Sequence, residues 1–281
     1  MKKSLVMLSA LVFMSAPAYA EQKLLITDVL DLGQSEVSTA ISYNYSSYDF
    51  SDNAKIYPSG TARINTTSAS CSAATGLGHG LQISASIPYL LSQNSSYKFE
   101  TTPASSVSSK RDGLGDLTVG ARYRMVDEET APVTLVTGLD LKFDMEDSDH
   151  GGTGTTNVSP YLALSSKASP NTRVYAYYAA VLRNHGASDT HAIMAGVEQG
   201  ITNRVTAVVE AGVNFLTNND HLKNTDEYGI NLATYLQMYG NLYLIPSIGV
   251  SVAGSFDRKD STTHYGPTHS AGGALALYYL F

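Results

Sequence analysis

Ala271-Gly272-Gly273-Ala274-Leu275-Ala276-Leu277-Tyr278-Tyr279-Leu280-Phe281 is the stretch whose reading decides the fold. Leu275, Leu277, Tyr279 and Phe281 fall on one parity, and Ala274, Ala276, Tyr278 and Leu280 on the other. Side chains of a strand alternate between its two faces, whereas helical spacing scatters such a set around a cylinder. The stretch therefore reads as a strand with one continuous apolar face.

The same period recurs toward the N-terminus. In Leu81–Tyr89, Leu81, Ile83, Ala85, Ile87 and Tyr89 oppose Gln82, Ser84 and Ser86. In Asp116–Met125, Leu117, Val119, Ala121, Tyr123 and Met125 oppose Asp116, Thr118, Gly120, Arg122 and Arg124. In Val133–Asp144, Leu135, Leu139, Leu141 and Phe143 oppose Val136, Gly138, Asp140, Lys142 and Asp144. Twelve segments carry the pattern: 36–49, 61–75, 80–91, 114–125, 133–145, 157–166, 173–183, 190–199, 204–216, 226–239, 241–254 and 268–281. Segment 61–75 is the weakest, with Ser, Thr and Ala on both faces. In 173–183, Tyr175, Tyr177 and Tyr178 occupy both parities.

Strands that cross an apolar medium must pair on both sides, and only closure into a ring leaves no edge. The connections agree with such a ring. Gly76–His79, Val126–Pro132, Lys167–Thr172, Gly200–Asn203 and Gly240 are short, and they alternate with Phe50–Gly60, Ser92–Gly113, Met145–Thr156, Asn184–Asp189, Thr217–Thr225 and Ser255–Pro267. Spanning barrels have short turns at one end and long loops at the other. The expected fold is all-β, a transmembrane antiparallel up-and-down barrel of about twelve strands over residues 36–281.

The N-terminus supports export. Lys2 and Lys3 precede an apolar run from Leu5 to Met14, and Ala18-Tyr19-Ala20 supplies a small-x-small cleavage pattern, so residues 1–20 read as a cleaved signal peptide. No run of roughly 18 apolar residues follows, so no spanning helix is expected. Removal of Lys2 and Lys3 takes the formal charge from −7 to −9 with no basic tract, which excludes a nucleic-acid partner on electrostatic grounds. Cys71 is the single cysteine, so no intrachain disulfide can form.

Residues 21–35 form a separate N-terminal segment. Leu25, Val29 and Leu32 fall at helical spacing, with Leu24, Ile26 and Leu30 nearby. The two readings are a plug inside the ring and a loose periplasmic tail.

A closing strand with one apolar face and a Phe end, here Leu275, Leu277, Tyr279 and Phe281, resembles the assembly signal of bacterial outer-membrane β-barrels. Gly113-Leu114-Gly115-Asp116-Leu117-Thr118-Val119-Gly120-Ala121-Arg122-Tyr123-Arg124, then Gly152-Thr153-Gly154-Thr155-Thr156-Asn157-Val158-Ser159-Pro160-Tyr161-Leu162-Ala163-Leu164-Ser165, is similar to the outer-membrane family labelled for the MetA pathway of phenol degradation. The turn Gly200-Ile201-Thr202-Asn203-Arg204 is similar to one that recurs in that family. The resemblance implies a transporter-like barrel for small, apolar or aromatic solutes, with outer-membrane lipid and the outer-membrane assembly machinery as its partners. It implies no cofactor.

The candidate site residues lie on the inner parity. Asp116, Arg122, Arg124, Asp140, Lys142 and Asp144 sit on adjacent segments, with Asp116 expected near Lys142, and Glu210 shares the parity on a distant one. They read either as a constriction that selects solute or as ion pairs filling a narrow ring. Tyr161, Tyr235 and Tyr243 share the inner parity and form a candidate aromatic track, while Tyr43, Tyr45, Tyr89, Tyr123, Tyr278 and Tyr279 read as an interfacial belt. His150, His185, His191, His221, His264 and His269 map to external loops or strand ends without metal-ligand spacing, so no metal is expected. Asn184-His185-Gly186-Ala187-Ser188 lacks the arrangement nucleophilic catalysis needs, so a lipid hydrolase is the weakest reading. The leading expectation is a passive channel for small molecules. The alternative is a non-conducting barrel whose external loops bind a partner or surface. Oligomeric state has no signature in the sequence.

Overall fold

The computed structural model describes residues 26–52, 59–101, 105–145, 151–184, 187–217, 223–257, 259 and 262–281. Among them are fifteen strands and no helix: β1 (Ser35–Asp52), β2 (Gly60–Gly78), β3 (Leu81–Phe99), β4 (Ser105–Leu114), β5 (Thr118–Val126), β6 (Thr134–Lys142), β7 (Asn157–Ser169), β8 (Thr172–Arg183), β9 (Asp189–Thr202), β10 (Val205–Thr217), β11 (Thr225–Tyr239), β12 (Leu242–Ala253), β13 (Phe256–Asp257), β14 (Thr263–Tyr265) and β15 (Thr268–Leu280). All pairings are antiparallel. The ring closes because β1 pairs with β2 on one side and β15 on the other. β4 and β5 lie end to end beside β3 and form one wall element interrupted at residues 115–117. β13 and β14 make a small hairpin in the connection before β15, with β14 on the outer end of β1. The result is a closed antiparallel barrel of twelve wall elements, matching the twelve segments of the sequence.

The two ends of the ring meet. Ser35 N donates to the Phe281 carbonyl at 2.7 Å, and Phe281 N donates back to Ser35 at 2.8 Å. The short turns lie at this end. The tightest, Gly78-His79-Gly80, has φ values of 85°, 52° and 75°, and its glycines relieve the strain of that left-handed path.

The faces separate as period two requires. Leu139, Ile248 and Leu277 on the outside are 41%, 62% and 46% exposed, levels a water-soluble barrel would not show around its whole girth. Gln82, Val136, Tyr161, Ser165, Tyr175, Val208, Tyr243 and Tyr278 on the inside are buried. Segment 61–75 looked weak because both its faces are small. Its inner serines pair with those of β1, Ser38 with Ser72 and Ser42 with Ser68, each at 2.8 Å. The three tyrosines of β8 also sort: Tyr175 and Tyr177 point inward, while Tyr178 is exposed on the outside.

Two expectations are corrected. Ser92–Gly113 is not a long loop, because β3 runs on to Phe99 and β4 returns beside it with Asn94 opposite Lys110 and Ser96 opposite Ser108. Ser, Asn and Lys on both faces erase the alternation once a sheet is wet on both sides, so the sequence hid this extension. It makes the wall lopsided, since β2 and β3 have 19 residues each against 9 for β5 and β6. Residues 26–34 are not helical either, but irregular. Leu24 and Leu25, like the proposed signal peptide, lie outside the described residues.

Candidate functional site

The lumen holds two polar clusters and a stretch of chain. At the end away from the termini, Asp116 sits where the β4–β5 wall breaks, 2% exposed. Lys142 Nζ donates to its Oδ2 at 2.9 Å, as the expected register implied. Thr153 adds its backbone N–H at 3.0 Å and its hydroxyl at 2.6 Å, and Met145 N donates to Oδ1 at 3.2 Å. Lys142 also donates to Thr153 and Thr155, and Thr155 to Asn157. The loop before β7 is thereby tied down onto the inner wall. Asp144 does not join the cluster; it is exposed beyond the end of β6, where the strand pattern no longer fixes its direction.

Arg122 and Arg124 are drawn to the other end, where residues 26–30 pack against the inner wall and residues 31–33 are exposed. Arg122 Nη1 donates to the backbone carbonyl of Asp28 at 3.2 Å, and Arg173 on β8 pairs with the Asp28 carboxylate at 2.8 Å. Arg124 pairs with Asp31 at 3.4 Å and with Asp127 at 3.0 Å. Leu30 N donates to Gln82 Oε1 at 2.8 Å. Leu30 itself packs with Ala74, Tyr243, Tyr278 and Leu280, and Val29 is fully buried. Gly76 on β2 makes room for the segment, because a Cβ there would strike the backbone carbonyls of Leu30 and Asp31. Asp140 lies over Gly120 rather than in an ion pair with Lys142.

Glu210 does not extend the Asp116 network. It stands on β10, where Tyr175 donates to Oε1 at 2.6 Å and Asn231 to Oε2 at 2.9 Å. On the next strand Glu227 accepts from Ser251 at 2.7 Å and Asn214 at 3.2 Å. Glu210, Asn231, Asn214, Glu227 and Ser251, with Asn44 and Ser270, line a cavity of about 320 Å³.

Tyr161, Tyr235 and Tyr243 all face inward but do not make a continuous track. Tyr161 lies over Gly138, and Tyr235 packs near Tyr175 and Val208. Tyr243 meets Tyr278 at a ring separation of 6.0 Å. Tyr278 is corrected from belt to lumen: it is 5% exposed and donates to Glu36 at 2.7 Å. The sequence reading missed Tyr175, Tyr278, Gln82 and Arg173. Parity alone supplied Gln82, but nothing in it singled out one polar residue among many. Leu275, Leu277 and Phe281 are exposed on the outside, with Tyr279 stacked on Phe281 at 5.8 Å. Among the histidines, His150, His185 and His221 lie outside the described residues, and so does part of the Asn184–Ser188 stretch.

No family model and no curated protein matches the chain. Solved structures do. An outer membrane channel from Pseudomonas putida F1 superposes with a TM-score of 0.61 over 90% of this chain and 97% of its own, at 11% identity. The KdgM porin gives a TM-score of 0.47 over 85% of this chain and 98% of its own, at 10% identity. The CymD monoaromatic hydrocarbon channel gives 0.45 over 95% of each chain, at 11% identity. At such identities likeness establishes the fold, and the first of the three carries that statement: this chain shares the barrel architecture of an outer membrane channel.

Proposed function

We propose that this chain is an outer-membrane channel that passes small molecules passively, with residues 26–34 acting as a plug at the end where the termini lie. The observation that carries the reading is the inversion of the ring, with leucine, isoleucine and valine bare on the outside and carboxylates, guanidinium groups and tyrosines within. A barrel of this build is stable only where hydrocarbon replaces water around it. Residues 1–20 are its cleaved signal peptide, and outer-membrane lipid and the assembly machinery that reads Leu275, Leu277, Tyr279 and Phe281 are its partners. Membership of the family labelled for the MetA pathway rests on the Gly113–Arg124 and Gly152–Ser165 runs, and so does the preference for aromatic or apolar solutes. The Asp116–Lys142 cluster serves as an anchor for the loop before β7, while the Arg122 and Arg124 group narrows the bore.

Reconstitution tests the reading. Purified protein in liposomes is expected to admit small neutral and charged solutes in a swelling assay, and faster once the plug is unseated. An impermeable barrel in every variant would overturn it. The extension built from β2, β3 and β4 favours the second reading, in which the outer end binds a partner; a silent barrel whose binding is lost when residues 92–112 are shortened would establish that instead.

A further inference from the structure

The plug residue Asp28 is held by two guanidinium groups. Arg173 faces the Asp28 carboxylate at 2.8 Å, Arg122 donates to the same residue's carbonyl at 3.2 Å, and Gln82 stands directly opposite Arg122 on the neighbouring strand. Gln82 is 1% exposed and spends its Oε1 on Leu30 N, but its Nε2 has no partner among the described residues. Thr27 Oγ1, on the residue that precedes Asp28, is also buried and unpartnered. Buried donors are normally satisfied, so the orphaned Gln82 N–H on the wall marks a place that a different occupant would complete, and the orphaned Thr27 hydroxyl shows that the segment itself fits imperfectly. The segment that fills the site has no regular structure. The Asp28 pairing with Arg173 is the part of it that matches its surroundings best, since a guanidinium fork is built for a carboxylate. Other anions near the two arginines are held elsewhere: Glu128, in the turn between β5 and β6, reaches Arg173 only at 3.9 Å, Asp140 on β6 lies over Gly120, and Glu36 on β1 accepts from Tyr278.

We propose that Arg173, Arg122 and Gln82 form a binding site for small organic carboxylates, which the Asp28 carboxylate occupies as a tethered stand-in. A carboxylate solute entering the lumen competes with Asp28 for Arg173, takes up the free Gln82 N–H, and thereby loosens the plug. This rests on the channel reading for its physiological meaning, but not for its chemistry. A tethered group competes at the effective concentration its linker sets, so the intact protein binds the free anion more weakly than a chain without that group.

The experiment is titration calorimetry on the full-length barrel in detergent, with benzoate as the probe and benzamide as its uncharged isostere, beside liposome swelling with the same two solutes. Benzoate is expected to bind and benzamide not. Asp28→Asn is expected to tighten benzoate about tenfold, as removal of a competitor that holds the site nine-tenths of the time would do. Arg173→Gln should abolish binding. Because the segment can stay seated through Leu30, the double variant Asp28→Asn/Leu30→Gln provides a second reading and should bind benzoate at least as tightly as the single one. Equal binding of benzoate and benzamide, or an unchanged benzoate affinity in both Asp28 variants, overturns the proposal. Benzoate binding that follows this pattern in a barrel that passes nothing overturns the channel reading and leaves the site standing.

Discussion

A single methyl group at residue 76 should unseat the proposed plug without harming the barrel. In Gly76→Ala the new Cβ would lie closer to the Leu30 and Asp31 carbonyls than such atoms ever approach, and both are backbone atoms that cannot swing aside like a side-chain tip. The strand, paired with β1 and β3, has no freedom to retreat. The segment must therefore move. Leu30 and Val29, 1% and 0% exposed, would then lose their cover, at about 1.5–3 kcal/mol each, or roughly 3–6 kcal/mol of docking together. That energy belongs to the seating of the segment, so unfolding of the barrel should change little. Cysteine accessibility measures it: Leu30→Cys in a Cys71→Ser background, with exposed Cys71 removed to silence its own reaction, should resist a polar maleimide. Adding Gly76→Ala should make it react at least a hundredfold faster, by the conversion of about 1.4 kcal/mol per factor of ten, and ion conductance should rise in parallel. If Leu30→Cys stays protected and conductance does not change when Gly76→Ala is added, the segment is not seated by that contact and the reasoning fails.

Other perturbations probe the two faces and the two ends. Leu139→Arg, facing outward, should cost about 2–4 kcal/mol in denaturant unfolding from lipid vesicles, whereas Ser84→Arg on the inner face should leave stability nearly unchanged and reduce conductance; equal costs would show that the faces are misassigned. Lys142→Met strands the buried Asp116 carboxylate, and the loss should be about 3–5 kcal/mol of loop stability, visible as hydrogen exchange at residues 151–156. In the external hairpin, hydrogen bonds from His264 and Lys223 hold the Asp257 carboxyl below its ordinary value of 3.8. A lowered folded-state value means that its contribution is present above that ordinary value and fades as pH falls through the folded one. Amide protection in β13 and β14 should therefore weaken on acidification below about pH 4, and Asp257→Asn should remove that acid dependence.

The barrel was legible because hydrocarbon demands a strict alternation, and Leu81–Tyr89 or Val133–Phe143 has no other reading. Legibility ended where that demand ended. Beyond the apolar belt both faces of β3 and β4 are wet, so Asn94, Ser96, Ser108 and Lys110 read as loop although they pair as strands. Within the lumen, parity gave the direction of Arg122, Tyr161 and Glu210 but not their partners, since a partner depends on which strands face each other across the ring. Arg173 and Asp28 are 145 residues apart in the chain, and no local pattern records their meeting. Tyr278 was misplaced for a different reason: its position near a strand end suggested a belt, although its parity, opposite to that of the outward Leu277 and Tyr279, already turned the ring inward, where Glu36 accepts its hydroxyl.

The clasp between Ser35 and Phe281 has a kinetic corollary. Its contacts join residues more than two hundred positions apart, as Ser46 with Ser270 and Glu36 with Tyr278 do. Such closures exact the largest entropy penalty of any in the molecule and belong to the slow end of folding. Until that seam zips, two raw edges stand open, and the newly made polypeptide is at its most vulnerable to aggregation. Since the N-terminal stretch enters the bore beside the same seam, sealing the cylinder and stoppering it should be a single late event.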